Sequence, residues 1–226
     1  MAENTPQPMP PETTRDWIFD LDNTLYHPRH NLFDLIDERM GRFIRERLGL
    51  QHAPAFELQK RYLREHGTTL KGLMDNHAIA PDEFLEYVHD ISLAGLPPDP
   101  DLTRAIERLP GRKIVYTNGS RKHAERVLAR IGCEREFSAI VDIAAAGYRP
   151  KPDIAPCRDL CRAFDLIPSR TVMIDDLARN LEPAALLGMT TVWLRHADNP
   201  DSAEPPAGRH IQHTIGDLGA WLAGLT

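Results

Sequence analysis

Four short runs of apolar and β-branched residues, Lys113–Thr117, Ala139–Asp142, Thr171–Asp175 and Thr190–Leu194, are interleaved with stretches of helical spacing, Lys122–Ile131, Ile154–Phe164 and Leu177–Leu187. Strands that alternate with helices pair in parallel through right-handed crossovers, which gives an α/β sandwich and excludes most other layer architectures. A fifth run, Trp17–Asp20, stops at polar turn residues and reads as the first strand of the same sheet.

Between that strand and the alternating region the texture changes. Leu32, Leu35, Ile36, Met40, Phe43, Ile44 and Leu48 fall at three- and four-residue steps, and Phe56–Leu63 and Phe84–Ile91 continue in the same style, separated by Gly and Pro. No β-rich run interrupts this segment. The 226 residues leave room for a core of about 140 residues carrying an insertion. The expected fold class is therefore α/β: a doubly wound parallel-sheet (Rossmann-like) core from 15–26 and 110–226, with a helical insertion over 27–109. Residues 1–14, polar and rich in Pro and Thr, read as a disordered tail. Asp198–Gly208 reads as a surface loop and Leu218–Leu225 as a closing helix.

Doubly wound sheets bind ligands beyond the carboxyl ends of their strands. The first strand ends in Asp20-Leu21-Asp22-Asn23-Thr24, the second in Tyr116-Thr117-Asn118-Gly119, and the fourth in Ile174-Asp175-Asp176, while Arg149-Pro150-Lys151-Pro152 follows the third. Any one of these has a bland explanation, because Asp and Asn after a strand commonly form turns or cap helices and a lysine between prolines is usually solvated. A calcium-binding EF-hand loop is excluded, since Leu25 stands where that loop requires glycine. The joint occurrence at successive strand ends argues for a site, because clustered carboxylates repel one another unless a cation sits among them.

Charge narrows the partner. The formal net charge is −6 and no Lys/Arg run exceeds two residues, so a nucleic-acid polymer is a poor candidate. The N-terminus lacks the basic start and apolar run of a secretory signal, and no apolar stretch is long enough to cross a membrane. Three cysteines, Cys133, Cys157 and Cys161, are an odd and sparse set that suits a reducing, cytoplasmic location better than a disulfide scaffold. Oligomeric state is left open.

The four strand-end motifs together resemble the haloacid dehalogenase superfamily over essentially the whole chain from Trp17 onward: Asp-x-Asp-x-Thr at Asp20–Thr24, the hydroxyl at Thr117, the lysine at Lys151, and the acidic pair Asp175-Asp176. The resemblance implies that the insertion is a helical cap. It also implies that Asp20 is a nucleophile forming an aspartyl phosphate and that Asp22 is the leaving-group acid and water-activating base. Lys151 would offset charge, and Thr117 and Asn118 would hold phosphoryl oxygens. Mg²⁺ would be bound by Asp20, the backbone carbonyl of Asp22 and Asp176, with Asp175 holding a metal-bound water. The sequence Asp-Leu-Asp-Asn-Thr-Leu-Tyr, the segment Gly67-Thr68-Thr69-Leu70 and Asn180 after the acidic pair resemble the pyrimidine 5′-nucleotidase branch; Asn180 departs from the Asp or Glu that many members of the wider superfamily carry there. The expected substrate is a small-molecule phosphate ester, a pyrimidine nucleoside 5′-monophosphate first, with another small metabolite such as a phosphosugar or phosphoglycolate, or a phosphomutase reaction, as alternatives. A dehalogenase needs neither Asp22 nor the acidic pair, and a non-catalytic descendant would lose the nucleophile or the acid. Near the first motif Tyr26 reads as packing, and His27, Arg29 and Thr68–Lys71 of the insertion read equally as packing or as substrate contacts.

Overall fold

The computed structural model describes residues 13–197 and 210–225. β1 (Asp16–Phe19) is followed by four helices, α1 (Leu32–Leu48), α2 (His52–His66), α3 (Thr69–His77) and α4 (Pro81–His89), and then by α5 (Pro100–Arg108). The alternating region gives β2 (Arg112–Tyr116), α6 (Arg121–Ile131), β3 (Ala139–Val141), α7 (Ile154–Ala163), β4 (Thr171–Asp175), α8 (Glu182–Leu187), β5 (Thr190–Leu194), β6 (His213–Ile215) and α9 (Leu218–Ala223).

The six strands form one parallel sheet in the order β3-β2-β1-β4-β5-β6. Successive residues point to opposite faces, and both faces are covered. Trp17, Phe19, Val115, Val172 and Ile174 join one core with α5, α6 and α9, while Ile18, Ile114, Tyr116 and Met173 join another with Cys157 and Leu160 of α7 and Ala184 of α8. This double burial is why the strands read as continuous apolar runs rather than alternating ones. The winding direction reverses at β1, which lies between β2 and β4, so a crevice opens at the carboxyl ends of these three strands.

Helices α1 to α4 pack on one another, with Phe43 of α1 edge-to-face on Phe84 of α4 at 5.2 Å between ring centres. Helix α5, which the sequence groups with the insertion, packs against α9. The expected strands appear within one or two residues of their limits. The helix expected over Leu177–Leu187 is split into a 3-10 turn, Ala178–Leu181, and α8, because Pro183 has no N–H to donate and fits only the first turn of an α-helix. The sixth strand is an addition: three residues at the sheet edge, too short to stand out by period. Of the expected tail, residues 1–12 lie outside the described residues, whereas the carbonyl of Thr13 accepts a hydrogen bond from Arg170 Nε at 3.0 Å. The expected loop at Asp198–Gly208 lies outside them too. Among the described residues no helix is long and apolar enough to cross a membrane.

Candidate active site

Each strand end delivers its polar residue to the crevice. Asp20 continues β1, its N–H donating to the Ile174 carbonyl of β4 at 2.9 Å. The loop then turns so that the Thr24 hydroxyl donates to Asp20 Oδ2 at 3.2 Å and accepts from the Asp176 N–H at 3.1 Å. One threonine thus ties the first motif to the acidic pair. Lys151 reaches in from the loop before α7, and its ammonium donates to Asp20 Oδ1 at 2.6 Å, Asp175 Oδ2 at 2.7 Å and the Tyr116 carbonyl at 3.0 Å. The lysine is only 3 % exposed, so its charge has no solvent to lean on and its pKa is raised, burial being outweighed by Asp175 and Asp20.

The residues expected at the site are brought together. Asp20, Asp175 and Asp176 each offer an oxygen within 4.8 Å of the others. Asp175 is held on both oxygens: Oδ2 by Lys151, Oδ1 by the Leu177 N–H and the Asn180 amide, each at 2.9 Å. A carboxylate at 180 could not donate to Asp175, which explains an amide there in electrostatic terms. The Thr117 hydroxyl accepts the Gly119 N–H at 2.9 Å, so it lines the cavity within a tight turn before α6. The Asn118 side chain does something the sequence did not signal: its Oδ1 accepts the Lys151 N–H at 2.8 Å, fixing the loop that carries the lysine.

Burial and mutual repulsion act on the acidic groups of the floor. Burial pushes Asp20 up to about 7, with Asp175 and Asp22 adding to the rise against Lys151. Burial first, then Asp175 and Asp20, pushes Asp176 well above the ordinary carboxylate range. Asp20, Asp175 and Asp176 crowd their oxygens together beside one buried lysine, and an oxygen-only donor set of this kind fits a hard divalent cation such as Mg²⁺. The cysteines are free thiols and take no part in this cluster.

Asp22 behaves in the opposite way. Burial would raise it too, but His123, by charge and hydrogen bond, and the Tyr26 hydroxyl hold it at about 2. Both donors meet the same oxygen, Oδ1, at 2.8 Å from His123 Nε2 and 2.7 Å from Tyr26. Tyr26 is buried, as a packing residue should be, yet its hydroxyl belongs to the site. His123 was not singled out by the sequence; one histidine in a helix with no motif around it gives no signal. Its ring stacks on His89 at 4.4 Å, and burial lowers the His89 pKa to about 3.

Above this floor lies a cavity of about 530 Å³. Its far side is formed by Phe33, Ile36 and Met40 of α1, Leu63 of α2, Leu70 of α3, and Phe84, Leu85 and Val88 of α4, with His27, Arg29 and Arg179 also on the lining. The α2–α3 turn comes down onto the lysine loop. Gly67 there has φ +80°, and a Cβ on it would stand 3.3 Å from Pro150. Thr68 lines the cavity and caps α3 through the Lys71 N–H, whereas Lys71 does not line it and pairs with Asp75. Of the candidate substrate contacts in the insertion, His27, Arg29 and Thr68 to Leu70 face the cavity and Lys71 does not.

Residues 18–188, well over half the chain, match the family model described as haloacid dehalogenase-like hydrolase. Phosphate metabolism protein 8 of Saccharomyces cerevisiae is 30 % identical over 145 residues, 59 % of this chain, and the match spans only 44 % of the yeast protein. Among solved structures, a protein described as a predicted phosphoglycolate phosphatase from Haemophilus somnus superposes with a TM-score of 0.63 at 20 % identity, over 95 % of this chain and 99 % of that one. A phosphatase from Thermococcus onnurineus gives 0.63 at 17 % identity over 94 % and 98 %. The L-2-haloacid dehalogenase of Xanthobacter autotrophicus gives 0.60 at 12 % identity over 93 % and 97 %. At these identities the solved structures speak for the fold.

Proposed function

From the premise that this chain belongs to the haloacid dehalogenase-like hydrolase family, we propose that it is a Mg²⁺-dependent phosphatase of small phosphate monoesters, pyrimidine nucleoside 5′-monophosphates first among them. The observation that carries the reading is the contrast within one turn of chain: Asp20 against the ammonium of Lys151, and Asp22 two residues on with its own separate donors. A dehalogenase has use for the first aspartate and none for the second.

Asp20, the Asp22 carbonyl and Asp176 would hold the metal, with Asp175, whose oxygens are engaged by N–H donors, acting through a water. When bound, Mg²⁺ supplies the positive charge that lets a carboxylate approach a phosphate dianion. Asp20 attacks phosphorus in line and becomes the aspartyl phosphate, while Lys151 offsets the charge on it. Thr117 and the Asn118 N–H hold phosphoryl oxygens. Asp22 gives a proton to the leaving oxygen and then takes one from the water that hydrolyses the intermediate. Asp22 is ionised in the free site, so it takes up its first proton from solvent as the substrate's negative charge enters the closed site and raises its pKa. Helices α1 to α4 act as the cap that shields the reaction and selects the leaving group. Their apolar lining supports a ring-bearing leaving group over a hydroxyl-rich sugar or glycolate.

Turnover of p-nitrophenyl phosphate and a panel containing UMP, CMP, AMP, a phosphosugar and phosphoglycolate tests this directly. EDTA should abolish activity and Mg²⁺ restore it, with Ca²⁺ a poor substitute because its looser coordination relaxes in-line geometry. Undiminished turnover in rigorously metal-free protein, or none with any ester, refutes the phosphatase; a preference for a purine nucleotide or phosphosugar refutes only the substrate.

A further inference from the structure

The carboxyl of Asp22 is oriented by a residue 101 positions away. An ionised carboxylate only accepts hydrogen bonds, so His123 Nε2 is the donor to Oδ1 whatever charge its ring carries. His123 is fully buried, and its other nitrogen, Nδ1, has no hydrogen-bond partner among the described residues. A buried polar atom left unpaired costs stability, and an apolar side chain would fill this place on α6, beside Ala124 and Val127, without that cost. The ring is nevertheless held in one plane. It stacks on His89 with 10° between the planes, and the Ser120 hydroxyl engages both His89 Nδ1 at 2.9 Å and the His123 N–H at 3.3 Å. Asp22 Oδ2 carries none of these bonds. It lies beside Gly119, where an added Cβ would come within 3.5 Å of both Oδ2 and His123 Cδ2.

We propose that His123 is a positioning residue for Asp22. Together with Tyr26 it occupies Oδ1 and fixes the plane of the carboxyl, so that Oδ2 is the oxygen that handles protons. The inference rests on the acid–base role of Asp22 given above. In the first step the Oδ2 proton passes to the leaving oxygen as its bond to phosphorus breaks and the bond from Asp20 forms. In the second, water gives a proton to Oδ2 as its oxygen bonds to phosphorus, releasing inorganic phosphate and the Asp20 carboxylate. His123 keeps its Nε2 proton throughout.

A leaving group that needs no proton separates this role from a structural one. First-turnover release should be measured for p-nitrophenyl phosphate, whose phenolate leaves unaided, and for the alkyl phosphate the wild type handles best. His123→Leu should lose on the order of 10²-fold with the alkyl ester and no more than about fivefold with the nitrophenyl ester, with KM within about threefold. His123→Gln, whose amide reaches as far as Nε2, should regain most of the loss; His123→Asn, one carbon shorter, should not. If the leucine variant does not fold by circular dichroism, the Gln–Asn pair decides the matter. Equal losses on both esters, a defect in KM alone, or Asn performing as well as Gln overturns the positioning role while the phosphatase stands. A wild type that hydrolyses neither ester overturns both.

Discussion

The floor and the roof of the cavity are built on different physics. The floor is polar and fixed: Asp20, Asp22, Asp175 and Lys151 are each held by hydrogen bonds between 2.6 and 3.2 Å, drawn from several strand ends. The roof is mostly apolar, and its polar groups are spent on the helices themselves: Asp37 takes Gln59 and Lys60, Thr69 donates to the Gln59 carbonyl, and Lys71 pairs with Asp75. Where charges are buried, one displaced group leaves another uncompensated; where surfaces are apolar, a substitution costs area and shape only. On the proposed function, chemistry belongs to the floor and selection to the roof, and substitutions in the two should fail in different ways.

The largest test is of the floor. Asp20→Asn and Asp22→Asn should stay folded and each lose turnover by a factor on the order of 10³ or more. A folded Asp20→Asn enzyme with near-normal kcat would remove the nucleophile and with it the contrast. Next in size is Lys151→Met, which leaves Asp20 and Asp175 without their ammonium. Loss of one partner of a buried pair costs about 3 kcal/mol or more at neutral pH, readable in urea unfolding; a stability unchanged within error would mean that the carboxylates never needed the lysine.

A smaller effect comes from the metal. Because burial raises Asp20 to about 7, the folded site binds a proton that the unfolded chain, at 3.8, releases. The unfolded state holds fewer protons over this window, so this group's contribution is present below the unfolded value and is lost as pH rises through about 7. A cation among the ionised carboxylates returns that loss. Mg²⁺ should therefore raise the Tm by several degrees more at pH 8 than at pH 5.5, roughly 1–2 kcal/mol in a chain of this size. A gain that calorimetry finds independent of pH would place the metal elsewhere. The roof gives the smallest effect: kcat/KM for UMP or CMP about tenfold above AMP or GMP, some 1.4 kcal/mol. Thr68 substitutions should narrow that ratio more than they slow p-nitrophenyl phosphate, whereas Lys71, turned to Asp75, should leave it unchanged.

The sequence showed the floor better than the roof because the two leave different traces. Strands buried on both faces write unbroken apolar runs, and the polar residue that ends each run is visible at once, which is how Asp20, Thr117 and Asp175 were found. Lys151 and the second acid of the pair, Asp176, take their place in the site from the resemblance of the four ordered motifs to the haloacid dehalogenase superfamily. In the roof, helical periodicity located the helices but could not say which faces would look into a cavity, so Thr68 and Lys71 looked alike.

What the sequence determined by itself was the alternation, the order of the strand-end motifs and the helical insertion, since each depends on a period of two or of about three and a half residues within a short window. Only the tertiary structure decided that Asn118 steadies the lysine loop, that Asn180 spares Asp175 a second carboxylate, and that Tyr26 and His123 share one oxygen of Asp22. Asn118 meets Lys151, and His123 meets Asp22, across 33 and 101 positions, which only the crossovers bring together. Tyr26 and Asn180 meet partners four and five positions back because irregular turns fold onto them. In both cases hydrogen-bond reach of about 3 Å is set by how the loops and helices seat on the sheet, a distance that no periodic pattern encodes.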